Sequence, residues 1–226
     1  MLILPQNTAA ILASRLFAIA SRDLRPRYSD MWLRAARWVA GEGGQAGLPH
    51  LETKRLLLRP RTMTDYDACL MMDRDEDVVR LDPYPWSDRR RQEDFLRRRI
   101  LEYPGYGLGY WSIFARDEPD YFLGWVFLYP HGQLKREVDI GWRFVKSAWG
   151  KGYATEAARS VLNHGFSTLG LPKIEVEIAP DNPRSLRVAE KLGFTFLADH
   201  QYIDRVLRAF DLKREEFFAA DMEKAS

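Results

Sequence analysis

Cysteine is almost absent from this chain of 226 residues. Its one copy, Cys69, excludes an internal disulfide and falls short of a cysteine-based metal site. Histidine is also scarce, and His50, His131, His164 and His200 lie far apart with no HExxH or HxxxH spacing, so no metal is expected. Long hydrophobic runs are missing. The longest, from Ala9 to Ala20, is broken by Arg15, is too short to span a bilayer and follows no basic segment. Neither a membrane span nor a secretory signal is therefore expected. Charge of one sign is lacking too: 34 Lys+Arg against 32 Asp+Glu give +2, which does not make the whole chain a polyanion binder. These absences together predict a soluble, reduced, cytoplasmic protein.

Hydrophobic residues at 46% and aromatics at 13% are enough for a packed core. The size suits one domain with an appendage, or two small domains. The first fifty residues carry six Arg (15, 22, 25, 27, 34 and 37) against Asp23, Asp30 and Glu42, so the remainder is slightly acidic. The stretch from Gly41 to Gly47 holds four glycines in seven residues, which reads as a flexible linker. Before it, Ser29 or Asp30 can cap a short helix through Ala40, with Trp32, Ala35, Ala36 and Val39 on one face. The expected division is residues 1–47 as a loosely docked basic extension with its linker, and 48–226 as the folded domain. The extension's arginines do not interleave with aromatics as a stacking surface would, so nucleic acid is not an expected partner.

Within 48–226, Leu56-Leu57-Leu58 reads as a strand ended by Pro60, and Thr64-Asp65 starts a helix holding Cys69, Leu70 and Met71. Ser87 caps a charged helix through Tyr103 with Phe95, Leu96 and Ile100 as its apolar side; its six arginines make a solvated face with Glu93 and Asp94. Aromatic-rich runs 110–116 and 121–129 form a hairpin, and a turn at His131-Gly132 leads to a third strand, 136–145. A helix (154–169), a strand (173–179), a helix (183–192) and a final strand pair (194–202, 206–213) follow. This order predicts a mixed α/β (α+β) domain, one sheet covered by helices.

The most informative stretch runs from Phe144 through Trp149-Gly-Lys-Gly-Tyr-Ala154 to Ala158. A strand stops, Gly150 and Gly152 make a loop, and an Ala/Glu-rich helix opens. Such a turn aims several backbone N–H groups and the positive helix end at one point, suited to phosphate oxygens. It is neither GxxxxGK[ST] nor a dinucleotide fingerprint, whose third glycine is absent.

WGKGYA followed by TEA, then DNPRS and EKLGF about thirty residues on, resembles the GNAT superfamily of acetyl-CoA-dependent N-acetyltransferases. It is closest in pattern to the branch holding the bacterial ribosomal-protein N-terminal acetyltransferases, of which the opening LETKRLLLRP is also typical. The resemblance covers about Leu51 to Phe217. It implies a central mixed, mostly antiparallel sheet splayed between its fourth and fifth strands, helices on both faces, and acetyl-CoA as co-substrate without a metal. In the family's pyrophosphate loop, [Gln/Arg]-x-x-Gly-x-[Gly/Ala], Gly152 and Ala154 match the fourth and sixth positions while Trp149 occupies the first. The implied donor site is the loop Trp149, Gly150, Lys151, Gly152, Tyr153 and Ala154, with Thr155 capping. Lys151 either adds charge or is merely solvated. The preceding strand should pair with pantetheine through Phe144 and Val145. Asn182 matches the family's pantetheine-contacting Asn and equally suits an N-cap before Pro183.

An amine attacks a thioester only when neutral. A lysine-like amine (pKa about 10.4) is roughly one part in a thousand neutral at pH 7.4, an α-amine (about 7.8) roughly a quarter. Alternation along 137–145 puts Glu137, Asp139, Gly141, Arg143 and Val145 on one face, and Val138, Ile140, Trp142 and Phe144 on the other. Asp139 stands where relatives carry a Glu and is the first candidate for the base, through water; Glu137 is the reserve. The competing reading is a surface ion pair of Asp139 with Arg143. The family's Tyr that protonates the thiolate falls on Ala189, so that role does not carry over; Ser185, one turn upstream, is the substitute used in the ribosomal branch. The expected function is acetyl transfer to a primary amine, either a protein N-terminus or a small molecule, with a non-catalytic acyl-CoA-binding module as the alternative. A homodimer is left open.

Overall fold

The computed structural model describes residues 47–80, 89–101, 105, 107–131, 137–202 and 205–225. The expected helix through Ala40, most of the glycine linker, the Ser87 cap and Gly132 lie outside them.

Eight strands form one sheet in the order β1-β2-β3-β4-β5-β6-β8-β7. They are β1 (Leu51–Glu52), β2 (Leu56–Pro60), β3 (Gly109–Ala115), β4 (Phe122–His131), β5 (Glu137–Phe144), β6 (Lys173–Ile178), β7 (Thr195–Gln201) and β8 (Val206–Lys213). Every pairing is antiparallel except β5 with β6. The two-residue β1, which the sequence pattern does not show, moves the expected fourth–fifth splay to β5 and β6. The last connection also doubles back, so β8 rather than β7 lies against β6.

The helices are α1 (Tyr66–Asp73), α2 (Glu76–Val79), α3 (Arg89–Leu101), α4 (Tyr153–Asn163), α5 (Pro183–Leu192) and α6 (Arg214–Ala225). On α4, Ala157, Ala158, Val161 and Leu162 are fully buried, as are Val126, Leu128 and Ile140 of the sheet. Two alanines at the contact let helix and sheet approach closely. The expected continuation of α4 to Leu169 is instead a π turn, His164–Thr168. There Gly165 meets the Ile174 side chain, and buried His164 bonds the Gly107 carbonyl through Nε2 at 2.9 Å. Burial lowers the His164 pKa, keeping that imidazole neutral. The other face of β4 packs on α1 and α3, where Cys69, Leu70 and Leu96 form a cluster with Tyr66, Ile100, Phe122 and Trp125. Alternation along β4 therefore serves two helical layers.

Candidate active site

β5 and β6 meet in register only at Asp139 and Glu175. Past that pair they diverge and leave a cavity of about 840 Å³. Residues 139–144 of β5 and 176–179 line its sides, the 149–155 loop closes one end, and the first turns of α5 close the flank.

Gly150 and Gly152 adopt φ of 74° and 79°, left-handed values that a side chain would strain. They turn the chain so that α4 starts at Tyr153 with Gly152 as its N-cap residue. The first-turn N–H groups of a helix have no intrahelical partners, so this end is built to receive an anion. The loop is held from outside the site. Glu156 accepts from Thr53 Oγ1 at 2.7 Å, from Arg55 N at 2.9 Å and from Arg55 Nε at 2.7 Å. Arg55 also donates to the Lys151 carbonyl at 2.9 Å and lies over the Tyr153 ring at 4.6 Å. Burial raises the Glu156 pKa, but the bonds from Thr53 and Arg55 outweigh it and the net shift is downward. The LETKR segment and the TEA segment are thus two halves of one clamp, a link invisible in either alone.

Trp149, at the position where the family pattern has a polar residue, closes the loop on its own strand: its Nε1 donates to the Phe144 carbonyl at 2.9 Å. Its ring faces the Arg184 guanidinium at 4.4 Å. Phe144 lines the cavity; Val145 does not. The Val145 N–H donates to Leu123 O, and its carbonyl accepts from Ala148 N. Both groups are committed within the fold, which corrects the expectation of pairing through Val145 and leaves Trp142 and Phe144 as the residues presented to the cleft. Lys151 is exposed and outside the lining.

Asn182 caps α5, its Oδ1 accepting from Ser185 N at 3.1 Å, with Pro183 at the first helical position. Both Asn182 and Ser185 line the cavity, so capping does not remove the Asn from the cleft. Ala189 is buried in the core, and Gly193 ends the helix at φ 91°. Sequence reading missed the basic stripe of α5: Arg184, Arg187 and Lys191, at i, i+3 and i+7, also line the cavity. That periodic signal was present in DNPRSLRVAEK.

The far end of the cleft is acidic. Asp139 is half-buried, and burial, reinforced by Glu177, Glu175 and Glu137, pushes its carboxyl up to about 8. Glu137 is exposed and does not line the cavity. Arg143 donates to Asp73 Oδ1 at 2.7 Å, with side chains only 10% and 2% exposed, so it is no surface ion-pair residue. Glu177, unmarked in the sequence, accepts from Tyr202 Oη at 2.9 and 2.8 Å and contacts His200 Nδ1 at 2.6 Å. Burial and the Glu177 carboxylate push the Tyr202 hydroxyl up to about 12. The cavity therefore has Arg184, Arg187, Lys191 and the α4 amides beside the loop, and Asp139 and Glu177 together with Arg205 farther along. Among the described residues, no group of three or more His, Cys, Asp or Glu is placed to hold a metal, and no helix is long and apolar enough to cross a membrane.

Residues 55–195, more than half of the chain, match the model of the acetyltransferase (GNAT) domain, and the chain belongs to that family. It is 30% identical over 144 residues to the uncharacterized N-acetyltransferase YnaD of Bacillus subtilis, covering 64% of this chain and 81% of that one. An acetyltransferase from Agrobacterium tumefaciens superposes with a TM-score of 0.61 at 26% identity, over 75% of this chain and 97% of that one. RimL, a ribosomal L7/L12 α-N-protein acetyltransferase with coenzyme A bound, shares the fold at a TM-score of 0.61 and 15% identity, over 73% and 98% of the two chains.

Proposed function

Because the chain is a GNAT acetyltransferase, we propose that it transfers acetyl from acetyl-CoA to a primary amine, either a protein N-terminus or a small molecule. The observation that carries this reading is the cleft where β5 and β6 part, with the glycine turn and the basic stripe of α5 beside it. The amides of Gly150, Gly152 and Ala154, with Thr155 and the Arg184–Arg187–Lys191 stripe, would hold the phosphates, and residues 139–144 and 176–179 flank the space for pantetheine. Coenzyme A in the RimL structure accords with this donor.

Acetyl-CoA supplies the thioester. The amine nitrogen bonds to the acetyl carbon, the C–S bond breaks, and its electron pair leaves on sulfur. The first proton lost from the ammonium goes to Asp139, directly or through one water; the second leaves nitrogen as the amide forms and balances the proton taken up by the thiolate, relayed through the Ser185 hydroxyl or solvent. Asp139 suits this task because a base poised near 8 is matched to an amine near that value. For an α-amine (about 7.8) the transfer is close to balanced, whereas a lysine-like amine near 10.4 gives it up over two units uphill. On proton transfer alone, an amine of low basicity is therefore the easier acceptor. The test is acetyl-CoA with a panel of amines and amidated peptides, reading thiol release and product mass. Tight CoA binding with no acetylated product from any amine would make the chain a non-catalytic module and overturn the proposal.

A further inference from the structure

We propose that the acceptor is a primary amine bearing an aromatic or branched apolar group two or three bonds from its nitrogen, seated with its nitrogen at Asp139 and its apolar group on Phe127 and Trp125. This rests on the reading of the chain as an amine acetyltransferase.

The first observation is a plate of aromatic rings that ends inside the cleft. Register along β4 and β5 sets Tyr129 opposite Asp139, Phe127 opposite Gly141, and Trp125 opposite Arg143. Phe127 and Trp125 are tilted by 30° with centroids 5.8 Å apart. Tyr110 backs both, at 5.0 Å from Phe127 and 5.5 Å from Trp125, and is itself covered by Arg61 at 3.8 Å. A plate supported this way holds its shape when water leaves, and both half-buried rings line the cavity.

Gly141 makes the plate possible. A Cβ there would stand 2.5 Å from Cε1 and Cζ of Phe127. Without it, the ring lies across β5 between Asp139 and Arg143. Two residues of strand put the Asp139 position about 6.6 Å from that of Gly141. A nitrogen at the carboxyl and a ring on Phe127 span this gap when two or three bonds join them.

Charge sets the remaining terms. Of the acids near the amine, Glu175 is paired with Lys173, while Glu177 is bonded to Tyr202 and His200. Arg143, paired with Asp73, lies with its guanidinium over the Trp125 ring at 5.2 Å. A polyamine has no apolar group to cover the plate and would bring its second ammonium toward that guanidinium, whereas an apolar group fills the plate without a charge. The same chemistry is offered by a free arylalkylamine and by the first residue of a polypeptide whose carboxyl is amidated.

The full-length protein is assayed with acetyl-CoA and four acceptors: 2-phenylethylamine, a tripeptide amide starting with phenylalanine, spermidine and an Nα-acetyl-lysine amide. We expect one of the first two to exceed spermidine and the lysine derivative in kcat/KM by at least tenfold; which of the two leads identifies the source. Spermidine or the lysine derivative matching them overturns the inference and leaves the proposed function standing, whereas no product from any amine overturns the proposed function itself. Phe127→Leu should raise KM for the preferred amine by about tenfold and leave kcat nearly unchanged, collapsing its advantage. Gly141→Ala, which displaces the ring, should do the same. An equal fall for every acceptor in both variants would mean that the plate only supports the fold.

Discussion

As the proposed base, Asp139 would join activity and stability through one carboxyl. Held at about 8, it is ionised in only a minority of molecules at neutral pH and gains its base form as pH rises. With a lysine-like acceptor, kcat/KM of the native chain should climb through pH 8, whereas Asp139→Asn should lose roughly 10²–10⁴-fold and keep only the climb toward the amine's own pKa. The loss should be small with an α-amine. Glu137→Gln, on an exposed residue outside the cavity, should keep the activity and move the profile only slightly toward lower pH, because it removes the weakest of the carboxylates that raise Asp139. Stability has a definite sign. The folded pKa lies above the ordinary aspartate value of 3.8, so between those values the folded chain binds the extra proton and stability falls as pH rises. Asp139→Asn should therefore raise Tm relative to the native chain above pH 8, and the gain should vanish near pH 4. A Tm difference that is flat across pH would contradict the burial argument.

At the scale of elements, the donor loop is a strained turn clamped from behind. Gly152→Asp adds backbone strain at φ 79° and a negative charge where phosphate is to bind, so CoA affinity should drop by at least about tenfold. Gly152→Ala keeps the strain without the charge, and calorimetry on the pair separates the two. Arg55→Ala leaves the loop intact but removes its tie to Glu156 and Lys151. Because Arg55 is nearly half exposed, the stability loss should be on the order of 1 kcal/mol, a Tm shift of about 2–4 °C, with CoA affinity falling several-fold. An unchanged affinity would show that the loop holds its own shape. Elements specified by nearby chemistry were legible in the sequence: the glycine turn, α5 between Asn182-Pro183 and Gly193, and the β3–β4 hairpin. What escaped depends on distant partners. Arg143 finds Asp73 across seventy residues, Glu177 gains its role from Tyr202 and His200, and the π turn that shortens α4 places His164 against Gly107. Nothing local marks such meetings.

For the whole molecule, the folded unit should begin just after the glycine-rich stretch. Leu48 is only 8% exposed, and the Pro49 carbonyl accepts from Trp111 Nε1 at 2.7 Å. Removing residues 1–46 should keep CoA binding and shift Tm by no more than a few degrees. Removing four more, through His50, should lower Tm clearly, because it exposes a buried leucine and strands the indole N–H of a buried tryptophan. If the shorter deletion already destroys folding, the first 46 residues belong to the folding unit and the boundary is wrong.

The single β5–β6 register pair makes the proposed donor cleft a mechanical seam as well. Strands β1–β5 lie on one side and β6, β8 and β7 on the other, so opening motions should concentrate along that line. A co-substrate lodged there acts as mortar. It would hold both banks together and raise Tm with concentration, as any ligand specific to the folded state does. Amide hydrogen exchange along β6 should slow on CoA binding, while that at the β2–β3 pairing, remote from the seam, should stay as it was. Uniform slowing across the sheet would mean that the two banks already move as one.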